Sequence, residues 1–149
     1  MDNQQLYMSQ ALELAQEASS IGEVPVGALV VKDNRVIGRG YNQSIKNSDP
    51  TAHAEVIALR DAANTLKNYR LSGCELYVTI EPCAMCVGAM VHARIQRVIF
   101  GAIEPRAGAL VSQLKMMDMP HFNHTFDWRG GVLESECGAL MKEFFRGRR

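Results

Sequence analysis

The chain has 149 residues, and its 16 acidic and 16 basic side chains give a formal net charge of +0. This length fits one domain over residues 1–149, and a hydrophobic content of 47% is typical of a globular protein rather than a disordered one. The neutral balance argues against a protein that coats nucleic acid through a broad basic field. No apolar run reaches the ~20 residues of a membrane span, and the N-terminus lacks a signal-peptide pattern, so we expect a cytoplasmic protein with no membrane partner.

The first half of the chain alternates helical and strand-like segments. The run over residues 25–31 is almost continuously apolar, which is typical of a strand that is covered on both faces. Asp33-Asn34 then predicts a tight hairpin turn, so the first two strands should be antiparallel. Asp49 or Thr51 is the expected N-cap of the second helix. The predicted elements are a helix over 3–19, strands over 25–31 and 36–42, and a helix over 52–66.

The second half continues the alternation and ends in an amphipathic helix. Strands that alternate with helices predict an α/β fold, in which helices cover both faces of one sheet. The predicted elements are a strand over 76–80, a helix over 83–93, a strand over 97–102, a short helix over 110–117, a fifth strand over 131–133 and a helix over 134–146.

Two cysteines at the start of the third helix form a candidate metal site. Cys83 and Cys86 are three residues apart, so on a helix they lie on one face, one turn from each other. Pro82 suits the first turn of a helix, where no backbone N–H is needed. The partial positive charge of a helix N-terminus favours thiolates, which are the form that binds metal.

A histidine and a glutamate open the second helix in the same way. His53 and Glu55 stand two residues apart, and the pattern H-x-E followed by P-C-x-x-C is the signature of zinc-dependent nucleobase deaminases. Catalytic zinc usually has three protein ligands, which His53, Cys83 and Cys86 would supply, while the fourth position is left for water. Glu55 would then take protons from that water and deliver them to the substrate.

Less specific interpretations of these residues stay open from the residues alone. The cluster could be a structural zinc module that binds a partner without chemistry, and Glu55 could merely complement the helix dipole. Iron could occupy the same donor set. Cys74 and Cys137 are more typical of small buried hydrophobic residues than of ligands.

On these motifs the sequence resembles bacterial tRNA-specific adenosine deaminases of the TadA type, within the cytidine/deoxycytidylate deaminase superfamily. The resemblance covers nearly the whole chain and includes segments outside the zinc motif. Those segments are 23–28, 40–42, 49–59, 68–71, 76–89, 94–102, Asn123-His124 and 144–149.

The resemblance implies a fold, a partner and a substrate. The fold is the cytidine-deaminase-like three-layer α/β/α sandwich with a five-stranded mixed sheet, and the protein would be a homodimer with one zinc per subunit. The substrate would be the wobble adenosine of a tRNA anticodon stem-loop, in bacteria mainly that of an arginine tRNA, and the adenosine would become inosine with release of ammonia. The implied substrate-binding residues are Val26, Asn42, Ala54, Glu104, Arg106 and Phe145.

The choice of substrate depends on features outside the zinc motif. Free-base or nucleoside deaminases, such as guanine deaminase, share that motif and remain the alternative. The C-terminal arginines 146, 148 and 149 favour RNA, which proteins hold through phosphate contacts and base stacking. Two differences from the family pattern, Glu104 in place of aspartate and the bulkier run 109–112, should affect nucleotide context more than chemistry.

Overall fold

A computed structural model describes residues 2–120 and 122–148, in which one sheet lies between two pairs of helices. The helices are α1 (Asn3–Ser20), α2 (Ala54–Leu66), α3 (Ala84–Ala93) and α4 (Glu134–Arg146). The strands are β1 (Gly27–Lys32), β2 (Arg35–Tyr41), β3 (Glu75–Ile80), β4 (Arg97–Ala102) and β5 (Asp127–Arg129). Within the described ranges, no helix combines the length and apolar character needed to cross a membrane.

The five strands form one mixed sheet in the order β2-β1-β3-β4-β5. β1 is antiparallel to both β2 and β3, whereas β4 is parallel to both β3 and β5. Asp33 and Asn34 both have positive φ angles, 51° and 61°, as the turn of a two-residue hairpin requires. The predicted hairpin and the five-stranded mixed sheet are therefore confirmed.

Side chains of β1 alternate between two hydrophobic cores. Ala28 and Val30 pack with α2 and α3, while Leu29 and Val31 pack with α1 and α4. Both faces of the strand are therefore buried, which explains why its sequence is continuously apolar. The predicted three-layer α/β/α arrangement is confirmed.

Small residues let α2 approach the sheet closely. A Cβ atom added at Gly40 would lie 2.4 Å from the carbonyl oxygen of Ala54, and one at Gly38 would lie 2.4 Å from that of Ala58. Glycines on β2 therefore face alanines on α2 with no room for a side chain between them. This contact fixes the first turn of α2 against the end of β2.

Three predictions of local structure are wrong. The fifth strand is β5, not 131–133, because Gly131 and Leu133 have φ angles of 90° and 53°, which are not extended. The expected helix over 110–117 is replaced by turns and by a three-residue 3-10 helix, Met116–Asp118. The N-cap of α2 is His53 rather than Asp49 or Thr51.

Candidate metal centre

The N-termini of α2 and α3 meet at one point beside the sheet. His53 is the N-cap residue of α2 and Cys83 is that of α3, and neither side chain makes a capping hydrogen bond. Cys86 follows in the first turn of α3 and is fully buried. The two helix dipoles therefore direct partial positive charge toward side chains that are not engaged in capping.

The three side chains form a compact donor set. The Nδ1 atom of His53 lies 3.7 Å from Sγ of Cys83 and 3.5 Å from Sγ of Cys86. The three potential ligand atoms all lie within 4.8 Å of one another. Zinc bonds of about 2.0–2.3 Å at tetrahedral angles would separate nitrogen and sulfur ligands by about 3.6 Å. The residues therefore fit a zinc ion with one position left open.

Hydrogen bonds within this cluster shift the pKa values of its members. A hydrogen bond with Cys86 and one with His53 lower the pKa of Cys83 to about 4, although burial opposes this. Donation to Cys83, together with burial, raises the pKa of the Cys86 thiol. The hydrogen bond with Cys83 also raises the pKa of His53. The lowered pKa favours the thiolate form of Cys83, which is the form that binds a metal cation.

Glu55 lies in the first turn of α2 and is 3% exposed. Burial raises the pKa of its carboxyl group to about 7, and the neighbouring Cys83 adds to the increase. Its position, two residues from His53, places a buried carboxylic group next to the donor set. Such a group can accept and return protons within a site from which bulk water is excluded.

The other two cysteines are separate from this cluster. Cys74 and Cys137 are buried at 0% and 2% exposure, and burial raises the pKa of Cys74 and raises that of Cys137 to about 12. Both belong to the hydrophobic cores, on opposite faces of the sheet. They therefore behave as the buried apolar residues that the sequence predicted.

Three of the predicted substrate residues are joined by hydrogen bonds next to the donor set. The Oδ1 atom of Asn42 accepts a hydrogen bond of 2.7 Å from the backbone N–H of Ala54. The backbone N–H of Asn42 donates to the carbonyl of Val26 at 3.2 Å. Asn42, at the end of β2, therefore caps α2 from outside the helix. The sequence-based prediction of the N-cap is wrong because the hydrogen-bond acceptor belongs to Asn42, which lies 12 residues before Ala54.

Glu81 is a buried residue to which the sequence analysis assigned no role. Its carboxylate accepts backbone hydrogen bonds from Glu104 at 3.0 Å and from three consecutive residues at 2.8–3.1 Å, and it also accepts from a serine hydroxyl. The consecutive donors are Leu110, Val111 and Ser112, and the hydroxyl is that of Ser112. These N–H groups lie where the sequence predicted the first turn of a helix over 110–117, but the chain continues from them in turns rather than as a helix. A charged residue directly before the Pro-Cys pair, at the end of an apolar strand, was the available signal.

A second buried carboxylate holds a loop near Asn42. Glu23 is 3% exposed and accepts hydrogen bonds from the backbone N–H groups of Ile45 at 3.2 Å and Lys46 at 2.8 Å. The polar loop between β2 and α2 is thereby tied to the segment that precedes β1. Its sequence signal is weak, because an acidic residue in a loop is usually solvated.

The remaining predicted substrate residues lie on two segments. Glu104 and Arg106 occupy the loop after β4, where a Glu104 carboxylate oxygen accepts a 2.9 Å hydrogen bond from the Arg106 backbone N–H. Phe145, near the end of α4, is 49% exposed and packs edge-on against Phe144. Arg148 stacks its guanidinium 3.6 Å from the centre of the Phe144 ring, whereas Arg149 lies outside the described residues.

Comparison with known proteins identifies the family to which this chain is similar. A family model described as MafB19-like deaminase matches residues 2–149. The tRNA-specific adenosine deaminase of Haemophilus influenzae is 51% identical over 143 residues, which cover 95% of this chain and 83% of that protein. The tRNA-specific adenosine deaminase of Bacillus subtilis is 40% identical over 146 residues, which cover 98% of this chain and 91% of that protein.

Solved structures give the same result for the fold. One, from a study of A-to-I editing by tRNA:A34 deaminases at the wobble position, superposes with a TM-score of 0.89 and 41% identity, and it covers 91% of this chain and 98% of its own. A guanine deaminase from Nitrosomonas europaea superposes with a TM-score of 0.76 but is only 22% identical, over 94% of this chain and 83% of its own. The second similarity therefore concerns the fold alone.

Proposed function

The chain belongs to the family of tRNA-specific adenosine deaminases, and we propose that His53, Cys83 and Cys86 hold its zinc ion while Glu55 moves the protons. The reaction is the hydrolytic conversion of adenosine to inosine at the wobble position of a tRNA anticodon loop. The observation that carries this assignment is a buried carboxylic group beside a three-residue donor set. A structural zinc site would more commonly use four protein ligands.

The chemistry assigned to Glu55 follows from the balance of the reaction. Water adds to C6 of the adenine ring and ammonia leaves, so protons must pass from water to the ring nitrogen N1 and to the departing amino group. A bound zinc ion would act as a Lewis acid that makes the attacking water more acidic. Glu55 would accept one proton from water and deliver it to N1, and it would then move the second proton of that water to the amino group, so that ammonia leaves and C6 becomes a carbonyl.

Val26, Asn42 and Ala54 form the proposed contacts to the base. The Oδ1 atom of Asn42 is engaged with Ala54, which leaves the two N–H donors of its amide for the nucleoside. Val26 is 5% exposed and would contribute an apolar wall. Because the Ala54 N–H already has an acceptor, we propose that Asn42 and Ala54 meet the base edge as one unit.

The proposed contacts to flanking nucleotides lie on exposed side chains. Arg106 and Phe145 are exposed, and an aromatic ring with an arginine suits an unstacked RNA loop, which is bound by base stacking and phosphate contacts. Glu104 would join them from the same loop as Arg106. We propose an anticodon stem-loop as the ligand, and by family resemblance that of an arginine tRNA.

We further propose a homodimer. The outward side of α3, next to the donor set, is mostly apolar, and its Met85 is 39% exposed. A second copy of the chain that covered this helix would remove apolar surface from water. Light scattering would measure the mass of the protein in solution directly.

The proposed compartment is the cytoplasm, where a tRNA substrate would be found.

The decisive experiment compares RNA with free nucleosides and bases. Purified zinc-loaded protein is incubated in parallel with an anticodon stem-loop that carries adenosine at the wobble position, with adenosine, with cytidine and with guanine. Ammonia release and the inosine content of the RNA are measured. We expect inosine in the stem-loop and no reaction of the free compounds.

A matched stem-loop with guanosine at the wobble position serves as the RNA control. Deamination of a free base alone would overturn the tRNA substrate while it preserved the roles of zinc and Glu55. Zinc-loaded protein that was inactive on every compound would instead favour a non-catalytic module.

A further inference from the structure

We infer that Glu81 is a positioning residue that sets the nucleotide preference of this enzyme, because it fixes the loop that carries Glu104 and Arg106. The inference rests on the proposed function, in which this loop meets the nucleotides beside the target adenosine. Glu81 itself is 1% exposed and is therefore closed to RNA. Its influence must pass through the residues that its carboxylate holds.

The carboxylate of Glu81 is the shared acceptor for both ends of this loop. One oxygen accepts from the backbone N–H of Glu104 and from the Ser112 hydroxyl, and the other accepts from three consecutive backbone N–H groups. Consecutive backbone donors that converge on one anion form a nest, and bonds to a charged acceptor are stronger than neutral ones. The start and the end of the loop are therefore tied to a single side chain.

The fit around this carboxylate is tight. A Cβ atom added at Gly108 would lie 2.3 Å from the carboxyl carbon and from one oxygen of Glu81. The loop backbone at Gly108 therefore lies against the carboxylate with no space for a side chain. This close approach limits the conformations that the loop can adopt while the hydrogen bonds persist.

Backbone hydrogen bonds link the same loop to the metal motif. The backbone N–H of Glu81 donates to the carbonyl oxygen of Ala102 at 2.8 Å, and that of Ala109 donates to the carbonyl oxygen of Pro82 at 2.9 Å. Cys83, the first cysteine of the donor set, follows directly in the sequence. Contacts at Glu81 and Pro82 therefore fix the position of the loop relative to the donor set.

The outer surface of this loop faces solvent. Ile103 and Val111 are 48% and 39% exposed, and Arg106 is also exposed, whereas Gly108 and Leu110 are buried beneath them. The Glu104 carboxylate accepts from the Arg106 N–H, so these two residues are placed together. A change in the inner hydrogen bonds would therefore shift the outer residues relative to the zinc site.

The test measures discrimination between RNAs rather than total activity. Four stem-loops are prepared that differ only in the nucleotide on the 3′ side of the target adenosine, and kcat/KM is measured for each with wild-type, Glu81→Gln and Ser112→Ala proteins. The glutamine keeps the size of the side chain, but its NH₂ group cannot accept from a backbone N–H. The alanine removes a single donor and leaves the rest of the loop intact.

We expect the ratio between the best and the worst stem-loop to fall by about tenfold in Glu81→Gln and by less in Ser112→Ala, since small misplacements of binding groups cost large factors in rate. Zinc content should stay at the wild-type level. Loss of folded protein would lower kcat/KM for all four RNAs by one factor and leave the ratio unchanged. Glu75→Gln, at the opposite end of β3, is the matched control and should keep the wild-type ratio.

Backbone amide hydrogen exchange supplies a readout that needs no substrate. The amides of Glu104 and of residues 110–112 should exchange slowly in the wild type and faster in Glu81→Gln, with the amides of α2 unchanged. Unchanged ratios in both variants would overturn the inference, as would a wild-type enzyme that shows no preference among the four RNAs. A wild-type protein that forms no inosine in any stem-loop would instead overturn the proposed function, and this inference with it.

Discussion

The Oδ1 atom of Asn42 accepts a hydrogen bond of 2.7 Å from the backbone N–H of Ala54, so the end of β2 caps the helix that carries His53 and Glu55. The first N–H groups of a helix have no acceptor within the helix, and a side chain from another element satisfies one of them here. The Asn42 amide thereby supports the position of the candidate metal centre, and its two N–H donors take no part in this hydrogen bond. Substitutions can separate these two roles.

We expect Asn42→Asp to keep the cap and Asn42→Ala to lose it. Aspartate retains the acceptor, so its free energy of unfolding should match that of the wild type, whereas alanine should cost about 1 kcal/mol, as is usual for a lost N-cap. Both variants lack the amide donors, so both should lose activity on the stem-loop. Chemical denaturation and kcat/KM test this, and an Asp variant with full activity would exclude a role for the amide N–H groups.

For Glu55→Gln, we expect turnover to fall by about 10²–10⁴-fold, the range for loss of general acid–base catalysis. The amide has the size of the carboxylic group but cannot carry protons between water and substrate. Single-turnover assays measure the rate, elemental analysis the zinc content and fluorescence anisotropy the RNA affinity. Zinc content and RNA affinity should persist. Turnover at the wild-type level would remove Glu55 from its proposed role.

Zinc binding should require His53 and Cys86 but not Cys74. His53→Ala and Cys86→Ala each remove one of three ligands and should reduce bound zinc to near zero in metal-limited buffer, while Cys74→Ala serves as a buried-cysteine control. Mass spectrometry of metal content gives the result. A chelator should lower the melting temperature of the wild type, because a ligand bound only to the folded state stabilises it. Full zinc occupancy in both ligand variants would mean that other residues bind the metal.

Gly40→Ala should disturb the metal centre from a distance. The added methyl would lie 2.4 Å from the carbonyl oxygen of Ala54, so the first turn of α2 must move. We expect the free energy of unfolding to fall by about 1–3 kcal/mol, which is typical of overpacking, and zinc affinity to fall by about tenfold. The control is Gly138→Ala in α4, where the new Cβ would lie 3.8 Å from Ala102 in ordinary contact. Zinc affinity equal to the wild type in Gly40→Ala would show that α2 can move without loss of the site.

Combined Arg146→Ala and Arg148→Ala substitutions should weaken RNA binding and its dependence on salt. Each lost phosphate contact lowers the slope of log affinity against log salt by about 0.7–0.9, so two lost contacts should change it by roughly 1.5. Anisotropy titrations at several salt concentrations measure this. Lys32→Ala with Arg35→Ala removes equal charge at the hairpin end of β1 and β2, opposite Asn42, and should leave the slope unchanged. Equal slopes in both double variants would argue against phosphate contacts by the C-terminal arginines.

The donor set could be predicted because its residues follow local geometry. Cys83 and Cys86 are one helical turn apart, and His53 and Glu55 open another helix, so spacing alone places each pair. Apolar runs predicted β1, β3 and β4, since strands that are buried on both faces have few polar positions, whereas β2 was placed by the turn that precedes it. The hairpin followed from Asp33-Asn34, which tolerate positive φ angles.

Contacts between distant residues decided the remainder. The donors to Glu81 come from 23 to 31 residues downstream, and a polar loop that looked partly helical is shaped by that one buried carboxylate. The cap of α2 comes from Asn42, which directly follows β2. The fifth strand, β5, lies where the chain pairs with β4, before the positive φ angle of Gly131 ends the extended backbone. The sequence alone determined which side chains could bind zinc and move protons, because that chemistry depends on residue type and short spacing. Only the tertiary structure decided how the surrounding loops are held, because buried polar groups take whichever partner the folded chain brings within hydrogen-bond distance.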